Sequence, residues 1–480
     1  MALSTYLNKA KNSPYLKAGI WAVGAEILVR AVAFLATPIF TRILPQDVYG
    51  DVRTFESWLN IWAPLLSLGL FTNIEVAQYR YKDRFEEYTG SVMLLIVLLG
   101  AAFASLAFLF REQLCALLDY TKPMLAIVVL YSAFYSCVLV RMRYNRIRLA
   151  YKRVTLLSML ASVPALAISV VACLAASSRG IEGTDLLNVR VISFYAPIIL
   201  IGIVVFLLIA TRGKAHVNTE YWRYAIAQSA PLIMYQISLQ ILTQSDRIMV
   251  KTFVSSTAAA IFSVATTVIY IVEILHRGFE SAWIPWLYAR LDKRDYATAG
   301  KAIMLVMAGF AAIFIPVLLM GREIILILGG EAYLDAIWLL GPMLGGVLFQ
   351  FLMLKLADIE KFYDRSSAVG VISIVIAGVN VALNYLGIRL GGYMTVSYMT
   401  LLSYFIAVCL HLPVVRRVAP ELAKYVLGAM ALCGALGGLL VLGMGVFALP
   451  NVIRWVILGV YVLAGAVCAV RLLPRLPLKD

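Results

Sequence analysis

The stretch Lys17–Phe40, KAGIWAVGAEILVRAVAFLATPIF, decides the class of this chain. It is long enough to cross a bilayer, for which ~20 apolar residues suffice. Two charges lie inside it. Glu26 and Arg30 stand at i and i+4 and so share one helix face, with the acid in the favourable N-terminal position. Arg30 falls near the middle of the span, where a charge costs roughly 2.5–3.5 kcal/mol on the insertion scale. That cost disfavours a lipid-facing position. The pair is expected to face other helices or a wet cavity, and the rest of the chain reads as the wall around it.

The 480 residues are 62% hydrophobic and 14% charged. Soluble domains average roughly 45–50% apolar and about 25% charged, so both departures point to an integral membrane protein. The six cysteines (Cys115, Cys137, Cys173, Cys409, Cys433 and Cys468) show no CxxC spacing. They read as small hydrophobes, not as a disulfide framework or a zinc site.

After the first span come thirteen runs without Asp, Glu, Lys or Arg: 57–74, 88–110, 123–140, 154–178, 191–211, 224–245, 252–272, 302–321, 336–354, 366–388, 390–415, 425–453 and 455–470. Each is about as long as a helix crossing the hydrocarbon. The expectation is an all-α polytopic membrane protein of fourteen transmembrane helices. With the N-terminus inside, 29 of the 41 Lys and Arg residues fall on inside segments and 11 on outside ones, Arg30 being intramembrane. This bias sets the orientation with both termini cytoplasmic. It also accounts for the net charge of +15, which is a topological signal and not a nucleic-acid footprint. The longest polar connection is expected at 276–301.

A weak repeat relates Thr41-Arg42-Ile43-Leu44 to Asp246-Arg247-Ile248-Met249. Six helices separate the two, so the halves have the same orientation, a transporter device that puts the substrate site between repeats. The resulting layout is an N-lobe over 1–212, a C-lobe over 213–415, and a C-terminal helix pair over 416–480.

Polar residues in apolar surroundings mark the candidate site. Gln236, Gln240 and Thr243 lie on one face of the seventh helix with Arg247 next, a wall suited to hydrogen-bonding a sugar or phosphate or, equally, another helix. Arg53 and Glu56 open the second segment. Glu273 and Arg277 repeat the i, i+4 pairing of the first helix, and Lys355 closes the tenth. Asn380 and Asn384 read as helix–helix glue. Gly434 and Gly438 give a GxxxG spacing, which marks close helix packing. HExxH, GxSxG, P-loop and Rossmann signatures are absent. Transport without a Walker motif runs on an ion gradient, the membrane potential or the substrate's own gradient.

Two stretches, TPIFTRILPQDVYGDVRTFESWLNIWAPLLSLGL and SDRIMVKTFVSSTAAAIFSVATTVIYIVEILHRGFESAWIPWLY, together with the hydropathy resemble the polysaccharide-transporter branch of the MOP exporter superfamily, the Wzx-type O-antigen and capsule flippases. The resemblance implies two six-helix lobes and alternating access coupled to a cation gradient or potential. It also implies flipping of an undecaprenyl-pyrophosphate-linked oligosaccharide from the cytoplasmic to the outer leaflet of a bacterial inner membrane. Its partners are that substrate, membrane lipids, and the polymerase and chain-length machinery. It implies no cofactor and no enzymatic activity. Fourteen helices, where many Wzx members have twelve, keep a MurJ-like lipid II flippase open. A MATE-type cation antiporter and, more remotely, a glycan-modifying membrane enzyme are the other readings.

A pyrophosphate needs cations in a partly desolvated site, and Arg forms paired hydrogen bonds to phosphate. Arg30 is the first candidate, followed by Arg247, Arg53, Arg277 and Lys355, with Gln236, Gln240 and Thr243 toward the glycan. Glu26, Glu56, Asp246 and Glu273 are the expected ion-coupling acids.

Overall fold

The computed structural model describes residues 34–472. Glu26 and Arg30 lie outside the described residues. The chain divides into two compact units, Met1–Ala260 and Ile261–Asp480. The first contains α1 (Phe34–Ile43), α2 (Gln46–Leu66), α3 (Ile74–Arg80), α4 (Phe85–Leu109), α5 (Arg111–Leu118), α6 (Lys122–Ile147), α7 (Tyr151–Ser177), α8 (Gly183–Ala210) and α9 (Thr219–Phe253). The helix α10 (Ser256–Asp292) opens at the end of that unit. The second unit continues with α11 (Tyr296–Leu319), α12 (Gly321–Leu328), α13 (Ile337–Phe362), α14 (Ser366–Gly391), α15 (Met394–Val418), α16 (Pro420–Gly443) and α17 (Asn451–Leu472). The described residues form helices, 3-10 turns and short connections, with no strand among them. Among the described residues ten helices are long and apolar enough to cross a membrane, or up to twelve if each of two bent pairs counts as one span.

Several boundaries differ from those expected. α2 begins at Gln46, not at 57, and α8 begins at Gly183, not at 191. α10 runs unbroken to Asp292, so the polar connection expected at 276–301 is helix for most of its length. The reason is common to all three. A run defined by the absence of charge stops at the first Arg or Glu, whereas a helix continues wherever other helices give that charge a partner. At 37 residues, α10 is about 55 Å long, well beyond the ~30 Å of hydrocarbon.

In the first unit α2 and the following helix meet at 64°. Leu68 and Gly69, both at positive φ (48° and 56°), break the helix. The turn that follows is fixed by Asn73, which is fully buried. Its amide nitrogen donates to the Ala225 carbonyl at 3.1 Å and to Ser229 Oγ at 2.8 Å, and its oxygen accepts from the Tyr88 hydroxyl at 2.8 Å. The bend is thereby joined to α4 and α9, above a core of Leu70, Ile74, Phe85, Tyr88 and Tyr221.

In the second unit α13 is buried along most of its length and packs against α15, α16 and α11. The close crossing does not use the GxxxG pair. A Cβ on Gly434 or Gly438 would meet open space, whereas one on Gly437 would lie 3.6 Å from Gly345 Cα of α13. Spacing alone located the right turn of the helix but the wrong face. Asn380 of α14 donates to Ser403 Oγ of α15 at 3.3 Å and accepts from Asn384 at 3.2 Å, so this pair does join two helices.

Candidate functional site

A cavity of about 280 Å³ opens within the first unit, lined by α1, α2, α6, α7 and α8. Its polar residues are Thr37, Arg53, Glu56, Asn60, Ser162 and Arg190, and its aromatic ones are Phe40, Tyr49, Tyr131, Tyr135, Phe194 and Tyr195. Because α2 starts two turns before Arg53, that residue and Glu56 stand inside the helix and share a face. Arg53 Nη1 donates to Glu56 Oε2 at 2.6 Å.

The other oxygen of that carboxylate lies 3.6 Å from Arg190 Nη2. Arg190 occupies the second turn of α8 and is only 4% exposed. Its guanidinium sits over the rings of Phe40 and Phe194, at 4.1 and 4.4 Å. Its Nε and Nη1 are buried without a hydrogen-bond partner among the described residues. Cation–π contact offsets part of the desolvation, but a guanidinium in such a place normally has its donors filled. Two arginines share one carboxylate, so the trio carries a net charge of +1. The site is therefore complementary to an anion, and the fork of a guanidinium suits a phosphate or carboxylate in paired hydrogen bonds. The tyrosines complete the wall: Tyr131 stacks on Tyr135 with centroids 4.7 Å apart and meets the edge of Tyr195 at 5.1 Å.

Of the residues singled out from sequence, the structure brings Arg53 and Glu56 to this cavity. Arg247 is buried behind α2, where its Nη1 donates to Ser57 Oγ at 2.7 Å and to the Arg53 carbonyl at 3.4 Å. It braces the backbone that carries the cavity arginine. Asp246 is buried beside it. Gln236 and Gln240 are half-buried. Thr243 is exposed, its hydroxyl turned back to the Leu239 carbonyl at 2.9 Å. None of these five lines the cavity.

In the second unit Lys355 is fully buried and donates to Glu280 Oε1 at 3.2 Å, with the Phe279 and Trp283 rings 5.7 and 5.6 Å away. Glu273 is half-buried and Arg277 exposed. Arg190 was missed because it immediately precedes the charge-free run 191–211 and so reads as an outside-loop cation. The available signal was Phe194, one turn further along the same face.

The fold has solved counterparts. Lipid II flippase MurJ in an inward closed conformation superposes with a TM-score of 0.65 at 14% identity, covering 91% of this chain and all of that one. An inward-facing multidrug resistance MATE family transporter of the MOP superfamily gives 0.58 at 14% identity, over 85% of this chain and 96% of that one. The Vibrio cholerae MATE transporter VcmN gives 0.57 at 11% identity, over 84% and 97%. At these identities the likeness is one of fold. No curated protein matches the chain at a significant level. Residues 15–289, more than half of the sequence, match the polysaccharide biosynthesis protein family, and the chain belongs to that family.

Proposed function

We propose that this protein is a flippase that moves undecaprenyl-pyrophosphate-linked oligosaccharide from the cytoplasmic to the outer leaflet of the bacterial inner membrane, for surface polysaccharide assembly. The observation that carries the reading is the net-positive cavity of the first unit, where Arg190 holds two unfilled donors beside a carboxylate shared with Arg53. A pyrophosphate or an acidic sugar fills those donors. The aromatic wall gives sugar rings an apolar face, and family membership supplies the polysaccharide context.

In this reading the chain has fourteen spans, arranged as lobes over 1–212 and 213–415 with a helix pair over 416–480, and both termini cytoplasmic. It alternates access under an ion gradient or the membrane potential. Arg30, Arg53 and Arg190 meet the anion. Gln236, Gln240, Thr243 and Arg247 of the first unit, and Arg277 and Lys355 of the second, are the further substrate-binding residues of this reading. Glu26, Glu56, Asp246 and Glu273 exchange the coupling ion.

Reconstituted protein should flip a fluorescent lipid-linked oligosaccharide across vesicles, and Arg190→Ala should abolish the flipping. Flipping by the variant at the rate of the unaltered protein would remove the cavity from the pathway. Extrusion of cationic dyes with no effect on the lipid would favour the antiporter instead.

A further inference from the structure

A second buried ionisable pair lies away from the cavity. α13 and α15 pack along their lengths. Near their ends Glu360 Oε1 stands 2.8 Å from His411 Nδ1. Glu360 is fully buried and His411 is 2% exposed. The second carboxylate oxygen, Oε2, is buried with no hydrogen-bond partner among the described residues.

Neither side chain has a further ionic partner among the described residues. On α13 itself Asp358 pairs with Lys361 at 3.4 Å, and Lys355 with Glu280 of α10 at 3.2 Å. Tyr363 shares a hydrogen bond with Tyr296 at 2.9 Å. Arg365 before α14, Arg416 and Arg417 on α15, Glu421 and Lys424 on α16, and Lys301 on α11 are exposed, and Tyr425 on α16 is half-buried. No ion pair or hydrogen bond joins any of them to the dyad among the described residues.

The charge count of the dyad then decides what it can hold. With one titratable proton, on either the imidazole or the carboxyl, the pair is neutral overall. With none it carries a bare negative charge against a dry wall and an unfilled oxygen. With two it carries a bare positive charge. Either imbalance is costly in a site closed to water. The packed arrangement of α13 and α15 therefore selects the singly protonated pair, and the proton can leave only when water reaches it. Buried ionisable groups in the helices of membrane proteins mark ion pathways, proton relays among them.

We propose that Glu360 and His411 form a one-proton binding site in the second unit, and that proton exchange there is coupled to the movement of α13 against α15. The coupling half of the proposal rests on the transporter reading, while the proton site does not.

The test uses the full chain in proteoliposomes. Infrared difference spectra recorded on a change of bulk pH should contain a carboxyl band that is lost in Glu360→Gln and displaced in His411→Asn. An unchanged spectrum in both variants overturns the site; two variants are used because either may fold poorly. With lipid-linked oligosaccharide as probe, an imposed proton gradient should accelerate flipping several-fold in the unaltered protein and leave Glu360→Gln unaffected. A gradient response retained by that variant overturns the coupling. Absence of flipping by the unaltered protein overturns the transporter reading and the coupling with it, while the spectra still judge the proton site.

Discussion

Glu56 Oε1 lies 3.6 Å from Arg190 Nη2, on a helix far from it in sequence, and this carboxylate is the main ionic partner that the buried guanidinium has. Among the described residues the cavity lining is thus one negative charge short of neutrality. Under the proposed function that shortfall is what draws an anionic ligand.

The first prediction concerns that balance. Glu56→Gln raises the net charge of the trio from +1 to +2. Inorganic pyrophosphate should then bind more tightly, by about tenfold for each ~1.4 kcal/mol gained, while release and turnover slow. Arg190→Ala should weaken binding by about 10–100-fold, matching the roughly 1.5–3 kcal/mol of a charged hydrogen bond. Titration calorimetry on detergent-purified protein measures both, and opposite signs for the two variants are required.

Arg247 braces the site from behind. Arg247→Ala removes the donor to Ser57 Oγ and to the Arg53 carbonyl, which then keep their bond to each other, and should cost about 1–3 kcal/mol. Its thermal unfolding should fall accordingly, whereas pyrophosphate affinity in the folded fraction should change little. A large affinity loss at unchanged stability would place Arg247 in direct contact with ligand.

Asn73 fixes the turn after α2 through three hydrogen bonds. Asn73→Ala strands the Tyr88 hydroxyl and the Ser229 side chain in a dry core and should destabilise the first unit by about 2–3 kcal/mol. Limited proteolysis near residues 67–73 would report the loosened bend.

The glycines separate by face. Gly341→Ala puts a Cβ 2.8 Å from the Leu440 backbone carbonyl oxygen of α16, and should cost about 1–3 kcal/mol through overpacking. Gly434→Ala and Gly438→Ala enter open space and should be neutral or slightly stabilising. Melting temperatures of the three variants decide the matter, and equal losses would contradict the packing.

Asp295 caps α11, accepting from the Thr298 amide at 3.2 Å. Hydrogen bonds from Thr298, side chain first and then backbone, hold its carboxyl below the usual carboxylate range. A lowered value in the fold means that the stabilisation is present above the ordinary carboxylate pKa and is lost as pH falls through the folded one. Asp295→Ala should cost about 1 kcal/mol at neutral pH and nothing in strong acid. Unfolding curves of the variant and the unaltered protein at both pH values give the comparison.

What the sequence determined by itself is the membrane class and the helical register along the chain. A helix in lipid must satisfy its own backbone, so each span is written locally as a run of ~20 apolar residues. The Arg53–Glu56 pair was legible for the same reason, since its two members are one helical turn apart. The tertiary structure alone decided which charges meet. Arg190 and Arg454, read as outside-loop cations, are buried in helices, the latter bonded to Glu323 and Asn451. The meetings of Arg190 with Glu56, Glu360 with His411, and Gly345 with Gly437 join residues far apart in the chain. They are fixed by the rotation and register of one packed helix against another, which charge and hydropathy along a single helix do not encode.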